Sequence, residues 1–405
     1  MKARRFTIIG AGLGTGTSLT GEAKAALLAA GRAFGTPRLA ETLSGLRQVE
    51  SCPFSALAER ARKADAAHAV LLVSGDPGFF SAAGTLRKAL LPFGEVETLC
   101  GVSSLQALCA RIGERWEDAL LLSLHGREGS LLGAASYHKK VFALTGGQKR
   151  ANAICRELAD AGLGALRVAV GENLGAEDET VFQGTAAQAA ARDCGDLAVL
   201  LVQNDHPAEA SRALFDRDFI RGSVPMTKQE IRWTAAALLS PRPTDTIYDI
   251  GAGTGSVALE LGRHACRGLV YAVERKPEAL ALIAQNRRAL GGFNVLPVEG
   301  SAPEALEALP KPDAAFIGGT AGNLGEILRL LKDKNPDVRV VVSAISLETL
   351  EAARRGLSEL GFSEVEVCQI ASARGKAVGG YTMLTANNPV FLISGGRDAP
   401  CMTAS

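Results

Sequence analysis

Short apolar runs alternate with stretches of helical periodicity along most of the chain. In residues 1–205 the runs are separated by alanine- and leucine-rich segments, an alternation typical of an α/β domain. Strands are predicted at Phe6–Ile9 and Ala69–Val73, and four or five more strand patterns lie between Leu120 and Gln203. These later patterns indicate a second sub-domain within the first domain.

The second half of the chain predicts one sheet of seven strands, which begin near residues 246, 269, 293, 313, 338, 363 and 389. Helical patterns separate the first six, whereas none separates the last two, so we expect these two to pair antiparallel. The connection 371–387 is expected to be a long loop without structure at the ligand-binding edge. We therefore predict domains at 1–205 and 225–405, joined by a linker at 206–224 with about one helical turn.

The start of the second domain carries a helix signal. Thr227 and Glu230 have the spacing of a capping box, and an apolar helical pattern follows them. Lys228 and Arg232 are four residues apart, so they would share one face of this helix.

The most informative stretch is Thr246–Gly255, where a short buried strand turns directly into alternating glycines. Gly251, Gly253 and Gly255 allow a tight turn and the close approach of a ligand. The helical pattern that begins at Ser256 directs free N–H groups into the same space. The stretch is therefore interpreted as a nucleotide-binding turn at the carboxyl end of a first strand.

Acidic residues around this turn indicate which nucleotide it binds. The dinucleotide fingerprint G-x-G-x-x-G is met from Gly253 only through Ala258. Asp249 would face a cationic amino group but would repel a pyrophosphate. Glu274 ends the next strand and can accept both ribose hydroxyls, each bond contributing about 1.5–3 kcal/mol. Two carboxylates favour S-adenosylmethionine over NAD; the alternative is a helix-capping turn followed by a solvated glutamate.

Composition excludes several classes of protein. The formal net charge of +1 argues against nucleic-acid binding. No apolar run approaches the roughly 18 residues of a membrane span, and the basic start precedes too short an apolar stretch for a signal peptide. Eight cysteines without a C-x-x-C pair and five histidines without ligand spacing predict free thiols, no metal site and a cytoplasmic location.

The first domain has its own glycine- and hydroxyl-rich turns. The segments are GAGLGTG at 10–16, SGDPGFF at 74–80, GVSSLQALCARIG at 101–113 and SLHGR at 123–127. In this order they resemble the tetrapyrrole methylases, and among them the precorrin C-5 methyltransferase branch. The resemblance implies that S-adenosylmethionine binds in a cleft between two α/β sub-domains. The residues it places on the cofactor side are Gly10, Gly12, Gly14, Asp76, Ser103 and Ser104; taken alone, either serine is explained as a helix N-cap.

The second domain resembles the precorrin C-15 methyltransferase and decarboxylase family over about residues 224–395. The segments that carry the resemblance are PMTK, DIGAGTGS and VERKPEAL, with the loops after the third and fourth strands. In such methyltransferases these loops hold the adenine and present the methyl group. The cofactor residues that the resemblance implies are Thr227, Asp249, Gly251, Gly253, Gly255, Glu274, Gly300, Ser301, Ala302, Gly318 and Gly319.

The two resemblances together imply an α/β chain with an N-terminal tetrapyrrole methylase fold of two α/β sub-domains, followed by a Rossmann-like seven-stranded methyltransferase domain. They imply methylation of a precorrin at C-5 and C-15 and decarboxylation of an acetate side chain, in cobalamin biosynthesis. One S-adenosyl-L-methionine is expected per domain. The expected partner is the tetrapyrrole substrate, with a homo-oligomer and without nucleic acid or membrane.

A precorrin carries several carboxylates, so basic residues should surround both clefts. The candidates are Lys228, Arg232, Arg374, Lys376 and, in the first domain, Arg127. The loop that carries Arg374 and Lys376 is expected to be a lid or anionic clamp. His125 is either a proton carrier or a structural imidazole, and no catalytic residue is identified. A nicotinamide-dependent oxidoreductase and a non-catalytic adenosyl-ligand sensor remain open alternatives.

Overall fold

The structure, a computed structural model, describes residues 4–126, 129–320 and 322–396 and divides into two compact units. The first unit takes the chain up to 128 with 140–156 and 164–203, and the second takes 129–139, 157–163 and the chain from 204 onward. Two short pieces of the predicted first domain are therefore counted with the second unit, and the domain limits 1–205, 206–224 and 225–405 stay a prediction.

The strands of the first unit form two sheets. The strands are β1 (Arg5–Gly10), β2 (Arg32–Gly35), β3 (Glu50–Ser51), β4 (His68–Val73), β5 (Glu95–Leu99), β6 (Leu120–Ser123), β7 (Lys140–Leu144), β8 (Arg167–Glu172), β9 (Thr180–Thr185) and β10 (Ala198–Gln203). One sheet is parallel, in the order β3-β2-β4-β1-β5, and the other is mixed, in the order β6-β7-β10-β8-β9. β1 and β4 are buried over almost their whole length, as central parallel strands with continuous apolar runs should be. The strands predicted at Phe6–Ile9 and Ala69–Val73 are confirmed.

Eight helices lie in the first half of the described chain. They are α1 (Gly21–Ala29), α2 (Pro37–Thr42), α3 (Leu57–Lys63), α4 (Ala83–Leu90), α5 (Ser104–Ile112), α6 (Leu132–Tyr137), α7 (Ala151–Leu158) and α8 (Ala186–Ala190).

The second unit is built on one seven-stranded sheet. Its elements are α9 (Gln229–Leu239), β11 (Thr246–Ile250), α10 (Ser256–His264), β12 (Leu269–Glu274), α11 (Pro277–Leu290), β13 (Val295–Glu299), β14 (Ala314–Ile317), α12 (Leu324–Lys334), β15 (Arg339–Ala344), α13 (Leu347–Glu359), β16 (Glu366–Ile370), β17 (Ala373–Val378), β18 (Tyr381–Ala386) and β19 (Val390–Gly395). The strand order is β13-β12-β11-β14-β15-β19-β16, with β19 antiparallel to both of its neighbours. The predicted antiparallel pair that closes a parallel sheet is confirmed.

The predicted unstructured connection before the last strand is a β-hairpin. β17 and β18 pair antiparallel from Ala373 opposite Ala386 to Val378 opposite Tyr381. The turn between them is Gly379-Gly380, and Gly379 has a φ of +60°. The expectation of a loop was wrong because a two-residue Gly-Gly turn between β-prone segments favours a hairpin.

The first helix of this unit begins later than predicted. α9 starts at Gln229, and its N-cap residue Lys228 makes no side-chain capping bond. The predicted capping box of Thr227 and Glu230 is therefore wrong. The carboxylate of Glu230 instead accepts a hydrogen bond from Nη2 of Arg374 at 2.8 Å. A charge-assisted pair with a guanidinium is stronger than a cap, so the hairpin contact takes this side chain.

Arg232 lies inside the unit and not on a substrate-facing surface. Its side chain is 0 % exposed, and its guanidinium pairs with Asp216 at 3.3 Å and with Glu260 at 3.4 Å. Nη2 also donates to the carbonyl oxygen of Leu214 at 2.6 Å. Because its position is enclosed and these acceptors occupy it, Arg232 is corrected from a substrate ligand to a structural residue.

Two partners of Arg232, Asp216 and Leu214, come from the segment 206–224 that was predicted to be a linker. Leu214 and Phe219 are buried in the core of the second unit, and a single 3-10 turn covers Asp216–Asp218. The guanidinium of Arg232 stacks 4.7 Å from the ring centroid of Phe219. This part of 206–224 is therefore packed against the sheet unit, although the expected single helical turn is present.

Replacing Arg232 by alanine is expected to lower the free energy of unfolding by about 3–5 kcal/mol, because buried Glu260 would lose the guanidinium it pairs with and buried Asp216 would lose one of the guanidinium groups around it. Urea denaturation followed by circular dichroism measures this loss. Lys228→Ala, four residues earlier and exposed, is the control and should cost less than about 0.5 kcal/mol. Equal losses in the two variants would contradict the network.

Candidate active sites

The second unit contains a cavity of about 820 Å³ at the carboxyl ends of its parallel strands. Its volume is within the range of small-molecule and cofactor sites. Among the residues that the resemblance implied, the wall contains Thr227, Gly251, Gly253, Glu274, Gly300, Ser301, Ala302, Gly318 and Gly319. The structure therefore brings together residues that are up to about ninety positions apart at the edge where open α/β sheets bind ligands.

The glycine turn and the loop after β14 meet through their backbones. Gly251 has a φ of +75°, and a Cβ on it would lie 2.8 Å from the backbone nitrogen of Gly319. The backbone nitrogen of Gly318 donates to the carbonyl oxygen of Ile250 at 2.9 Å. Any side chain at Gly251 would push these loops apart. Gly255 differs from the other two turn glycines, since it is absent from the cavity wall and faces Ile283 of α11.

Glu274 stands at the end of β12 as predicted and lines the cavity. One of its oxygens accepts from the backbone nitrogen of Gly253 at 2.9 Å, and the other from those of Arg275 and Lys276 at 2.8 and 3.0 Å. These bonds hold the carboxylate in place. A carboxylate has about four acceptor sites, so capacity for a ligand hydroxyl remains.

Asp249 does not face the cavity. Its side chain is 1 % exposed, is absent from the cavity wall, and accepts a hydrogen bond from the backbone nitrogen of Ala258 at 2.8 Å. Its second oxygen is buried and has no hydrogen-bond partner among the described residues. Burial raises the pKa of this carboxyl to about 7, and the negative charge of Glu274 contributes in the same direction. The expectation that Asp249 meets a ligand's amino group is therefore wrong: it supports the turn from beneath.

The charged side chains of the wall are mostly cationic. Lys228, Arg275 and Lys276 are exposed there, against the single carboxylate of Glu274. Sequence reasoning identified Lys228 but missed Arg275 and Lys276, although both directly follow Glu274 in the VERKPEAL segment. Their position directly after Glu274, the predicted ribose-binding carboxylate, could have indicated that they border the site.

The two basic residues of the hairpin have different surroundings. Arg374 pairs with Glu230 at 2.8 Å and with Asp216 at 3.0 Å, so it ties the base of the hairpin to α9. Lys376 lies further along β17, is exposed, and is not part of the wall. The hairpin reaches the cavity through its flanking residues Ser372 and Asn387.

The first unit has a smaller cavity, of about 440 Å³. Its wall includes Gly12 and Ser104 from the predicted cofactor set, with Phe79 and Phe80 from the SGDPGFF segment. It also includes Arg38, which sequence reasoning missed because no motif marks it. Two separate motifs of the resemblance thus contribute to one cavity.

Other predicted residues of this unit shape the loops beside the cavity. A Cβ on Gly10 would lie 2.7 Å from the backbone nitrogen of Gly101 and 2.8 Å from the carbonyl oxygen of Gly75, so Gly10 allows three strand ends to meet. Asp76 accepts hydrogen bonds from the backbone nitrogens of Gly78 at 2.8 Å and Gly101 at 3.1 Å. The Asp76 carboxylate therefore joins its own turn to the loop after β5.

The two serines also separate. Ser103 is the N-cap of α5 and forms a complete capping box with Gln106. With its side chain buried and bonded there, Ser103 is corrected from a cofactor contact to a helix cap. Ser104 remains on the cavity wall.

His125 lines the same cavity, and its Nδ1 lies 3.2 Å from the carbonyl oxygen of Thr145. This bond orients the ring, and whether His125 transfers a proton stays a prediction. Arg127 lies outside the described residues.

Residues 4–126, 129–320 and 322–396 contain neither a candidate metal site nor a candidate membrane-spanning helix. No cluster of three or more His, Cys, Asp or Glu side chains is placed to hold a metal ion. No helix in these ranges has the length and apolar character needed to cross a bilayer.

The larger cavity fits an adenosyl cofactor. Glu274 offers an acceptor for a ribose hydroxyl, and Ala302 and the glycine loops leave room for a flat base. The sheet order, the turn and the carboxylate at the end of the second strand define the seven-stranded class of S-adenosylmethionine-dependent methyltransferases.

Comparisons with known proteins agree with this class. Residues 5–190 match the family of Tetrapyrrole (Corrin/Porphyrin) Methylases, and residues 218–395 match the Precorrin methyltransferase domain. A precorrin-6Y C(5,15)-methyltransferase [decarboxylating] from Sinorhizobium is 30% identical over 393 residues, which are 93% of this chain and 92% of the relative. The chain therefore belongs to the family of precorrin-6Y C5,15-methyltransferases (decarboxylating).

Two further relatives match less than half of this chain. A probable cobalt-precorrin-6B C(15)-methyltransferase (decarboxylating) from Methanothermobacter thermautotrophicus is 44% identical over 182 residues, covering 44% of this chain and 93% of that protein. The crystal structure of a precorrin-6y C5,15-methyltransferase from Geobacter metallireducens is 34% identical, covers 45% of this chain and 96% of that chain, and has a TM-score of 0.43.

Asp249→Asn is expected to remove a pH-dependent loss of stability. The folded-state pKa is about 7 against an ordinary value of 3.8, so the stabilising effect of the protonated form is complete below about pH 4 and is lost as pH rises to about 7. Within this window the wild type should lose about 1.4 kcal/mol more per pH unit than the variant.

Urea denaturation at pH 5, 6 and 8 measures this difference. Asp333→Asn, at an exposed position on α12, is the matched control and should keep the wild-type pH profile. An Asp249→Asn profile that runs parallel to the wild type would show that the buried carboxyl is not responsible.

Proposed function

We propose that this chain methylates a precorrin at C-5 and C-15 and decarboxylates an acetate side chain, using one S-adenosyl-L-methionine in each unit. The first half matches the Tetrapyrrole (Corrin/Porphyrin) Methylases and the second half the Precorrin methyltransferase domain. The first unit is assigned the C-5 transfer and the second the C-15 transfer, as the resemblances of their sequence motifs imply. The relative that matches nearly the whole chain has the two positions and the decarboxylation in its name.

The observation that carries the proposal is the composition of the larger cavity wall. Glu274 is held by three backbone N–H groups at the position where seven-stranded methyltransferases bind ribose. Around it are the exposed cations of Lys228, Arg275 and Lys276. One fixed acceptor for a neutral sugar and several exposed cations suit a cofactor with a ribose and a substrate with many carboxylates.

The residues of the wall contribute binding and positioning. S-adenosylmethionine, when bound, supplies an electrophilic methyl group on a sulfonium. Gly318 and Gly319 have no side chains, which leaves space next to that methyl group and provides no general base. This suits an electron-rich meso carbon, for which holding the reactants at attack distance contributes on the order of 7–11 kcal/mol. For the decarboxylation, the conjugated macrocycle is the electron sink, and no residue is assigned to it.

A count of adenosyl sites tests the proposal. Calorimetric titration of the full chain with S-adenosylhomocysteine should give two sites in the wild type and lose one in Glu274→Ala. Loss of one charge-assisted ribose bond of about 1.5–3 kcal/mol raises the Kd of that site about ten- to a hundredfold. Glu278→Ala, on the exposed first turn of α11, is the matched control and should keep both sites.

The same titration separates the alternatives. Binding of NADH without S-adenosylhomocysteine would contradict the methyltransferase and support an oxidoreductase. Adenosyl binding by a chain that transfers no methyl group to any reduced tetrapyrrole would support a ligand sensor.

The hairpin β17–β18 is proposed as the clamp for the anionic substrate. Lys376→Ala removes an exposed charge and should raise the Kd for a polycarboxylate porphyrin about two- to fivefold. Arg374→Ala releases the hairpin from Glu230 and should weaken the same binding, since it frees the strand that presents Lys376. Both variants should bind S-adenosylhomocysteine as the wild type does, and an equal loss of cofactor and porphyrin affinity would contradict the clamp.

Two further expectations belong to this proposal. A cytoplasmic location is proposed from the seven described cysteines, all of which are free thiols. A homo-oligomer is proposed because Tyr381 and Leu384 of the hairpin expose 81% and 78% of their surface.

A further inference from the structure

Arg38 occupies an unusual position on the wall of the smaller cavity. It belongs to α2, is half-buried, and its Nη2 donates to the hydroxyl of Ser74 at 2.8 Å. A Cβ on Gly14 would lie 2.5 Å from Nη1, so the guanidinium packs directly against the first glycine loop. The absence of a side chain at Gly14 is what allows this cation to reach the cavity.

No carboxylate pairs with Arg38 within the described ranges. The hydroxyl of Ser74 is the one acceptor of its side chain there, although a guanidinium has five N–H donors. Burial lowers the pKa of Arg38, and no acidic neighbour acts against this effect. The buried Arg232 and Arg339 differ, since each is bonded to a buried carboxylate. Partial desolvation of a cation without a counter-ion has a cost, and a ligand anion would offset it.

The neighbouring wall supplies a second observation. Phe79 and Phe80 lie edge to face with their ring centroids 5.0 Å apart, and Phe80 leaves 46% of its surface exposed. Phe80 also has a φ of +47°, an unfavourable backbone conformation for a bulky residue. Such strain persists where surrounding contacts fix it and is common at ligand sites. The wall therefore combines a flat apolar surface with an unpaired guanidinium.

We propose that Arg38 binds a carboxylate of the ligand in the first unit and so orients it against the Phe80 side of the cavity. This inference deepens the proposed function and rests on it. The carboxylate belongs either to a side chain of the tetrapyrrole or to the methionine end of the cofactor. In both cases the guanidinium is a binding and positioning group that takes no part in bond making.

The test uses the full chain with matched pairs of probes. Uroporphyrin, which has eight carboxylates, is compared with its octamethyl ester, and S-adenosylhomocysteine is compared with methylthioadenosine, which lacks the carboxylate. The variants are Arg38→Gln and Arg38→Lys. Arg60→Gln on α3, exposed and away from the cavity, is the charge-matched control. The adenosyl titrations are repeated in the Glu274→Ala chain so that the first unit's site is measured alone.

Arg38→Gln is expected to raise the Kd of one carboxylate probe about tenfold or more and to leave its carboxylate-free partner unchanged. Arg38→Lys should show a smaller loss, because an ammonium keeps the charge but not the bidentate geometry. If Arg38→Gln does not fold, Arg38→Lys is the variant whose Kd values decide the test. A loss confined to uroporphyrin assigns the carboxylate to the substrate, and a loss confined to S-adenosylhomocysteine assigns it to the cofactor.

Three results would overturn the inference. Unchanged affinity for both carboxylate probes would do so while leaving the proposed function intact. An equal loss for acid and ester, or for the two adenosyl probes, would show that Arg38 does not act through a carboxylate. A wild-type chain that binds none of the probes would overturn this inference and the proposed function together.

Discussion

Both cavities depend on backbone atoms of neighbouring strand ends being closer than a methyl group would permit. In the first unit Gly10 faces backbone atoms of Gly75 and Gly101, and in the second Gly251 faces Gly319. A Cβ on Gly10 or Gly251 would lie between 2.7 and 3.0 Å from these backbone atoms. Parallel strands end at one edge of a sheet, but side chains normally keep the following loops apart. Glycines at these positions allow the loops to approach each other and to form the surface that a ligand can contact.

In the second unit, the buried ionisable groups of Arg232 and Asp249 differ in whether nearby polar groups compensate their burial. Arg232 is surrounded by two carboxylates and by carbonyl oxygens, so its burial is compensated. Asp249 has one backbone donor and one oxygen without a partner, so its ionised form is disfavoured. The uncompensated group lies directly under the glycine turn. Burial of the Asp249 carboxyl therefore lowers stability next to the ligand-binding edge of the sheet. Local strain is common at binding sites, where surrounding contacts fix the geometry.

The pattern of apolar residues predicted the strands well, because the residues of a strand themselves determine which of its faces is buried. The glycine turn and Glu274 were also predictable, since strand, turn and acidic strand end are spaced by the fold itself. Helical spacing, in contrast, could not show that Arg232 is covered, because the covering residues Leu214–Phe219 come from an irregular segment. Asp249 and Ser103 were misassigned for a related reason: polar side chains at strand ends and helix starts are often taken by nearby backbone groups.

Arg38 shows the limit of reading motifs. Its contact Ser74 is 36 positions away, and the short helix that carries it has no recognisable signature. Only the packing of α2 beside the Gly14 loop gives it significance. Arg275 and Lys276 were within reach of the sequence, since they adjoin Glu274, but they needed the structure to show that their side chains border a cavity.

The two cavities place their cations in different dielectric surroundings, and this difference separates two physical roles. Lys228, Arg275 and Lys276 are exposed, so their attraction for an anion is weakened by water and salt and acts mainly by raising its local concentration. Arg38 is half-buried, where the same charge interacts more strongly over a short distance and in a fixed direction. The net charge of the chain is only +1, so neither effect comes from the protein as a whole. Under the proposed function, exposed cations attract a polycarboxylate macrocycle to the second unit, whereas the half-buried guanidinium of Arg38 fixes the orientation of the ligand in the first.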